Sequence, residues 1–210
     1  MTEQTYNQAL LELVQAGLSA LKQRAAGSNV INTATAESHF LCSWMVQALK
    51  ERRFAKLVAQ DLTHWIREAR SKGAGAQLPS LFKRIDNQYS AVLNKTQLGD
   101  ALQAMLTELE ESDWLVILDA EVDTKLKLDS DGRSSLIISV EQYQQCIKDQ
   151  KIVKPITLYV RADEQLLAQA AAKHGLLISQ GDKKASLIKH HKAYQVYPGN
   201  RQPALALLLD

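Results

Sequence analysis

Few residues in this chain have a type and spacing suited to chemistry. Asp113, Asp119 and Asp123-Thr-Lys125 fall on or beside predicted strands, where two carboxylates and a lysine could hold a divalent ion and stabilise developing charge, as in a metal-dependent nuclease. The spacing permits that reading without requiring it, and solvated strand ends account for the same residues. Asp129-Ser-Asp131-Gly132 has the look of a calcium loop. Lys127 stands where a preceding acid is needed and Ile138 where the closing glutamate belongs, so a turn is the expectation. Gly73-Ala-Gly75 follows a helical pattern rather than a strand, which argues for an interhelical turn over a phosphate loop. Ser80-Leu-Phe-Lys83 and Ser186-Leu-Ile-Lys189 lack the companion motifs of penicillin-recognising enzymes. No set combines a nucleophile, a base and an orienting group, so no catalytic residue is assigned and no cofactor or metal site is expected.

Cys42 and Cys146 are far apart and lie on the apolar side of helical patterns, where cysteine is a small core residue. Trp44, Trp65 and Trp114 are read as core for the same reason. Neighbouring His190 and His191 would point apart, and the lysines around them favour anions over cations.

Charge is unevenly spread. From Lys50 to Arg84, nine Lys or Arg stand against three acids; from Glu111 to Asp131, seven acids stand against two lysines. From Lys173 to Arg201, six basic residues stand against one acid. Such blocks are solvated faces or mark polyanion or protein partners. On a helical wheel from Phe54 to Lys72, Leu57, Val58, Leu62, Trp65 and Ala69 share one side, with Arg53, Lys56 and Arg67 opposite and Arg70 at the edge. These four, with Lys183, Lys184, Lys189 and Lys192, are the candidate nucleic-acid contacts.

The elements that must position these residues divide into two. Apolar stripes at helical spacing run through Tyr6, Leu10, Leu13, Val14, Gly17 and Leu21, then Phe40 to Leu49, Phe54 to Ala69, Leu78 to Val92, and Leu98 to Leu109. Thr33 or Thr35, and Thr96, are candidate caps. From Trp114 the pattern changes to short apolar runs. Asp131-Gly132 predicts a hairpin joining Leu126–Leu128 to Ser135–Ile137. A helix is expected over 141–149, a strand over 156–160, a helix over 164–174 capped by Asp163, a strand over 176–178, and strands over 193–197 and 204–209. The fold class is therefore α+β. About five helices (1–112) pack with a small sheet region (113–210) containing a βαβ-like unit.

Glu37-Ser-His-Phe-Leu41 continuing through Trp44–Lys50 to Phe54, Lys154-Pro-Ile-Thr-Leu-Tyr-Val-Arg161, and Tyr194-Gln-Val-Tyr-Pro198 together resemble an uncharacterised family of marine and enteric gammaproteobacteria, known only as a domain of unknown function. The resemblance implies a bacterial cytoplasmic protein and brings no activity with it. Residues 1–6 have no signal-peptide pattern and no run reaches the ~20 apolar residues of a membrane span, which also points to the cytoplasm and away from membranes. The functional expectation is a non-catalytic interaction or regulatory module with a protein partner. A nucleic-acid binder is the alternative, and a nuclease-like enzyme the third possibility.

Overall fold

The computed structural model describes residues 4–27, 33–92, 95, 97–128 and 130–210. The chain forms two compact units, Met1–Ser90 and Ala91–Asp210.

The first unit is helical. Its elements are α1 (Tyr6–Ala26), α2 (Ala34–Lys50), α3 (Ala59–Lys72) and α4 (Leu78–Ser90), with 3-10 turns at Lys56–Val58 and Gly73–Ala76. Each begins and ends for local reasons. Thr5 and Gln8 form a capping box at α1, and the Thr33 hydroxyl accepts from the Ala36 amide at α2. Gly73 closes α3 with φ +55, a backbone that suits glycine. The core is the expected stripe: Leu10, Leu13, Val14, Leu41, Met45, Phe82 and Ile85 are fully buried. Tyr6 donates its hydroxyl to Asp61 at 3.0 Å, and burial raises the Asp61 carboxyl above its usual range.

The wheel drawn from Phe54 to Lys72 is corrected here. Ala55 is extended (ψ 145) and α3 starts only at Ala59. Phe54 packs its ring against Trp44 at 5.7 Å, which holds the chain off the helical path. Leu57 consequently faces solvent at 50% exposure, while Val58, Leu62, Trp65 and Ala69 are buried as expected.

The second unit contains α5 (Leu98–Glu111), β1 (Leu115–Ala120), β2 (Ser135–Ser139), α6 (Val140–Cys146), β3 (Ile147–Lys148), β4 (Lys151–Ile152), β5 (Ile156–Arg161), α7 (Glu164–Lys173) and β6 (Lys192–Val196). The last of the five early helices thus packs with the sheet. The cap expected at Thr96 lies outside the described residues. The four-stranded sheet has the order β1-β2-β5-β6; β1 and β2 are parallel and the other neighbours antiparallel. Strand alternation assigns the two faces. Leu136, Ile138, Leu158 and Val160 join α5 and α7 residues such as Leu102, Met105 and Leu167 in the main core. Ile137 and Tyr159 point the other way, into a smaller cluster with Ile188 and Ala193.

The hairpin expected at Asp131-Gly132 is not formed. Asp131 (φ 49) and Gly132 (φ 80) do make the turn. Its arms do not pair, because β2 lies between β1 and β5 and all five of its residues are buried. A tight hairpin forms instead at Asp149 (φ 47) and Gln150 (φ 65), joining β3 to β4, so the helix expected over 141–149 ends at Cys146. The βαβ-like unit is realised through β5 and α7. Its third segment makes one bridge, Ile178 with Val196, antiparallel. Residues 204–209 form no strand; Leu207 donates its amide to the Ile178 carbonyl.

Gly99 packs α5 against the Asp149–Gln150 turn. Its amide donates to the Gln150 carbonyl at 2.9 Å, and a Cβ there would stand 2.7 Å from the Gln150 backbone carbon. Gly99→Ala is therefore expected to cost about 1–3 kcal/mol by overpacking, measured by urea denaturation. A neutral or stabilising result would mean that the turn yields freely.

Candidate polyanion interface

The sheet face opposite α5 and α7 is covered by two irregular segments, 122–128 and 186–191, which place Val122, Leu128, Leu187 and Ile188 against Ile137 and Tyr159. Leu126 and Ile188 form a parallel bridge in which the Leu126 amide donates to the Leu187 carbonyl and the Lys189 amide to the Leu126 carbonyl, both at 2.9 Å. Alternation then sorts the side chains. Leu126 and Leu128 are half-buried, and Lys125 and Lys127 are exposed. In the second segment Ile188 is buried and Lys189 exposed.

The result is a groove of about 570 Å³ lined by Lys125, Leu126, Lys127, Lys183, Ser186, Leu187, Ile188, Lys189, His190 and His191. Four ammonium groups line it and no carboxylate does. Opposed charges would neutralise a structural basic patch; here the lining is of one sign.

The floor is set by His191. His190 takes a left-handed backbone (φ 69), which turns His191 inward to 3% exposure. Its Nδ1 lies 3.0 Å from the Lys189 carbonyl oxygen and its Nε2 lies 2.9 Å from the buried Ser135 Oγ. A carbonyl only accepts, so Nδ1 carries the proton and Nε2 of the neutral ring accepts from the Ser135 hydroxyl. Burial pushes the His191 pKa down; the Lys189 carbonyl opposes this, and Arg161 and His190 add to it. A neutral buried histidine stabilises the fold fully above its ordinary pKa of about 6.5, and this contribution is lost as pH falls from there towards the lower folded value. The urea midpoint of the wild type should therefore fall between about pH 7 and about pH 5 more steeply than that of the double variant Ser135→Ala/His191→Phe. Equal slopes would remove His191 as the cause.

The expected contact residues are only partly gathered. Lys183 and Lys189 line the groove. Lys184 is exposed but does not line it, and its amide donates to Asp182 Oδ1 at 2.7 Å. Lys192 is diverted to Glu164 at 2.8 Å, where it holds that carboxylate below its usual range with the help of Tyr194. In the other unit, Arg53 pairs with Glu51, and Lys56, Arg67 and Arg70 are exposed. Lys125 and Lys127 were missed as contacts because they fell on the arm of the expected hairpin. Of the nuclease-like set, Asp113 lies 3.7 Å from Arg133, Asp119 is on β1, Asp123 is exposed, and Lys125 faces the groove. Among the described residues, no group of three or more His, Cys, Asp or Glu is placed to hold a metal ion, and no helix is long and apolar enough to cross a membrane.

The cysteines and tryptophans also divide. Cys146, Trp65 and Trp114 are buried, whereas Cys42 and Trp44 are only half-buried. Cys42 lies towards the rim of the helical core and lines a cleft instead.

Together these features define an α+β protein with a helical unit and a mixed-sheet unit that carries a basic groove. The chain belongs to the family described as protein of unknown function (DUF2913), whose model matches residues 5–209. No curated protein and no solved structure matches it.

Proposed function

We propose that the protein is a non-catalytic binding module of the bacterial cytoplasm, and that the unit Ala91–Asp210 engages the phosphate backbone of a nucleic acid. The observation that carries this reading is the groove lined by Lys125, Lys127, Lys183 and Lys189 without a carboxylate. Lysine supplies the sequence-independent part of nucleic-acid affinity. Lys56 and Arg67 are exposed in the helical unit, outside this groove, and Arg53 is engaged with Glu51. Two free thiols, Cys42 and Cys146, suit a reducing compartment.

A catalytic role for the Ser135–His191 pair is disfavoured by burial. Ser135 has no exposed surface, so a substrate carbonyl cannot reach its hydroxyl. The pair reads as a hydrogen bond that supports the groove floor.

The test is fluorescence anisotropy with labelled duplex and single-stranded oligonucleotides at about 50 mM salt, followed by a salt titration. Four phosphate contacts give an expected slope of log K on log salt of roughly −3.6 on duplex DNA. No binding of DNA or RNA at about 50 mM salt would overturn the nucleic-acid reading.

A further inference from the structure

A second pocket, of about 380 Å³, opens on the same face of the sheet as the groove. Strand register builds its floor. Thr157 stands opposite Gln195, and Tyr159 opposite Ala193, across β5 and β6. Alternation turns all four side chains away from the core beneath α5 and α7. The small methyl of Ala193 leaves space beside the Tyr159 ring. Asp182 is fixed at the rim by two backbone hydrogen bonds to Ala193, at 2.8 and 2.9 Å. Tyr197 follows β6 and lines the pocket, its hydroxyl donating to Gln195 Oε1.

Three observations give the pocket a chemistry. The first is Tyr159, which is 4% exposed and whose hydroxyl makes no hydrogen bond among the described residues. Gln202 Oε1 is sealed without a partner; the Tyr159 hydroxyl is not sealed, and keeps surface at the pocket it lines. Burial raises its pKa, so it remains a donor at neutral pH. The second is Asp182, the one charged group among the described residues of the lining. It is exposed, and although one oxygen accepts from the Lys184 amide, the carboxylate has capacity for further donors. The third is position. Along 182–186, Asp182 and Ala185 line the pocket while Lys183 and Ser186 line the groove. Consecutive Cα atoms are about 3.8 Å apart, so a strand whose phosphate meets Lys183 has a base within reach of the pocket. The volume falls within the ~300–1,000 Å³ of small-molecule sites.

We propose that this pocket takes an unstacked guanine of a single-stranded nucleic acid whose phosphates lie along the lysine groove, a reading that rests on the nucleic-acid assignment of that groove. Guanine presents two adjacent donors, N1–H and N2–H, to a single carboxylate, here that of Asp182. Beside them its O6 accepts from the Tyr159 hydroxyl. The other bases fit less well. Thymine and uracil flank their one N–H with two carbonyls, and adenine and cytosine set a ring acceptor beside their amino group, so each turns a lone pair towards Asp182. Contact with the Tyr197 ring adds affinity that does not depend on the base. A base within a duplex stays stacked and is not presented.

The test is fluorescence anisotropy of the full chain with labelled oligo(dT) strands that carry a single central dG, dA or dC, or none. The dG strand should bind roughly tenfold tighter than oligo(dT) alone. That preference should persist between about 50 and about 200 mM salt while every affinity falls, because a base contact releases no counterion. Tyr159→Phe and Asp182→Asn should each reduce the preference to about threefold or less and leave the salt slope unchanged. A merely structural role for either side chain would shift all strands alike. Equal affinity for the four strands, tighter binding of dA or dC than of dG, a preference retained in the matching duplexes, or one that survives both variants overturns the proposal. If no strand binds, the groove reading falls, and saturation-transfer NMR with guanosine, which carries no phosphate, decides the pocket alone. Transfer to guanosine that Tyr159→Phe abolishes upholds it as a guanine site, and no transfer overturns it.

Discussion

Replacing Lys125, Lys127, Lys183 and Lys189 together with glutamine should remove most of the salt dependence of nucleic-acid binding. Each lysine that neutralises a phosphate contributes a slope of about −0.9, so four give about −3.6. With that slope, raising salt fourfold, from about 50 to about 200 mM, weakens wild-type binding roughly 150-fold. The variant should bind far more weakly at the lower concentration and change little across the range. All four side chains are exposed, so the melting temperature should hold. The control is Lys56→Gln/Arg67→Gln in the helical unit. It should leave the slope near −3.6, and a loss of about 1 or more there would move the interface off the groove.

The second large effect concerns the contact between α1 and α4. A Cβ at Gly17 would stand 2.5 Å from a ring carbon of Phe82, which is fully buried and packs tilted against Trp65 with ring centroids 5.6 Å apart. In an exposed helix, Gly→Ala stabilises by about 1 kcal/mol through propensity. Here overpacking of about 1–3 kcal/mol opposes that gain and should win, so Gly17→Ala destabilises. Phe82→Ala alone should cost about 3–5 kcal/mol. In that background the nearer obstacle is gone and only the 3.3 Å approach to the Trp44 ring remains, so Gly17→Ala should become close to neutral or stabilising by up to about 1 kcal/mol. The reversal of sign is the diagnostic outcome of a denaturant double-mutant cycle. Simple additivity would show that Phe82 moves aside without cost.

The helical half was legible because its signals are local. Leu10, Leu13 and Val14, or Phe82, Ile85 and Tyr89, repeat at helical spacing, and each sequence neighbour confirms the next. Thr33 and Asp163 cap their helices through amides two or three residues away. The sheet was less legible because strand partners are chosen at long range. Asp131-Gly132 set a turn, as its residue types require, but turn chemistry cannot dictate which strand β2 joins. Burial of its five residues against two neighbours decided that. The same limit hid half of the groove. Lys183 and Lys189 belonged to a visible basic block. Lys125 and Lys127 sit in the most acidic stretch of the sequence, and their charge gains meaning only when Leu126 meets Ile188. Ser135 and His191, 56 positions apart, carried no signal of each other.

That single bridge has a consequence for motion. Two backbone hydrogen bonds fasten the segment around Leu126 to the one around Ile188, whereas β5 is paired on both sides. Regions with few buried contacts open at a fraction of the global unfolding free energy. The amides of Leu126 and Lys189 should therefore exchange with deuterium well before those of Leu158 and Val160. Such breathing would let the two lysine-bearing walls adjust their separation to backbones of different curvature. A strand paired on both sides could not do this.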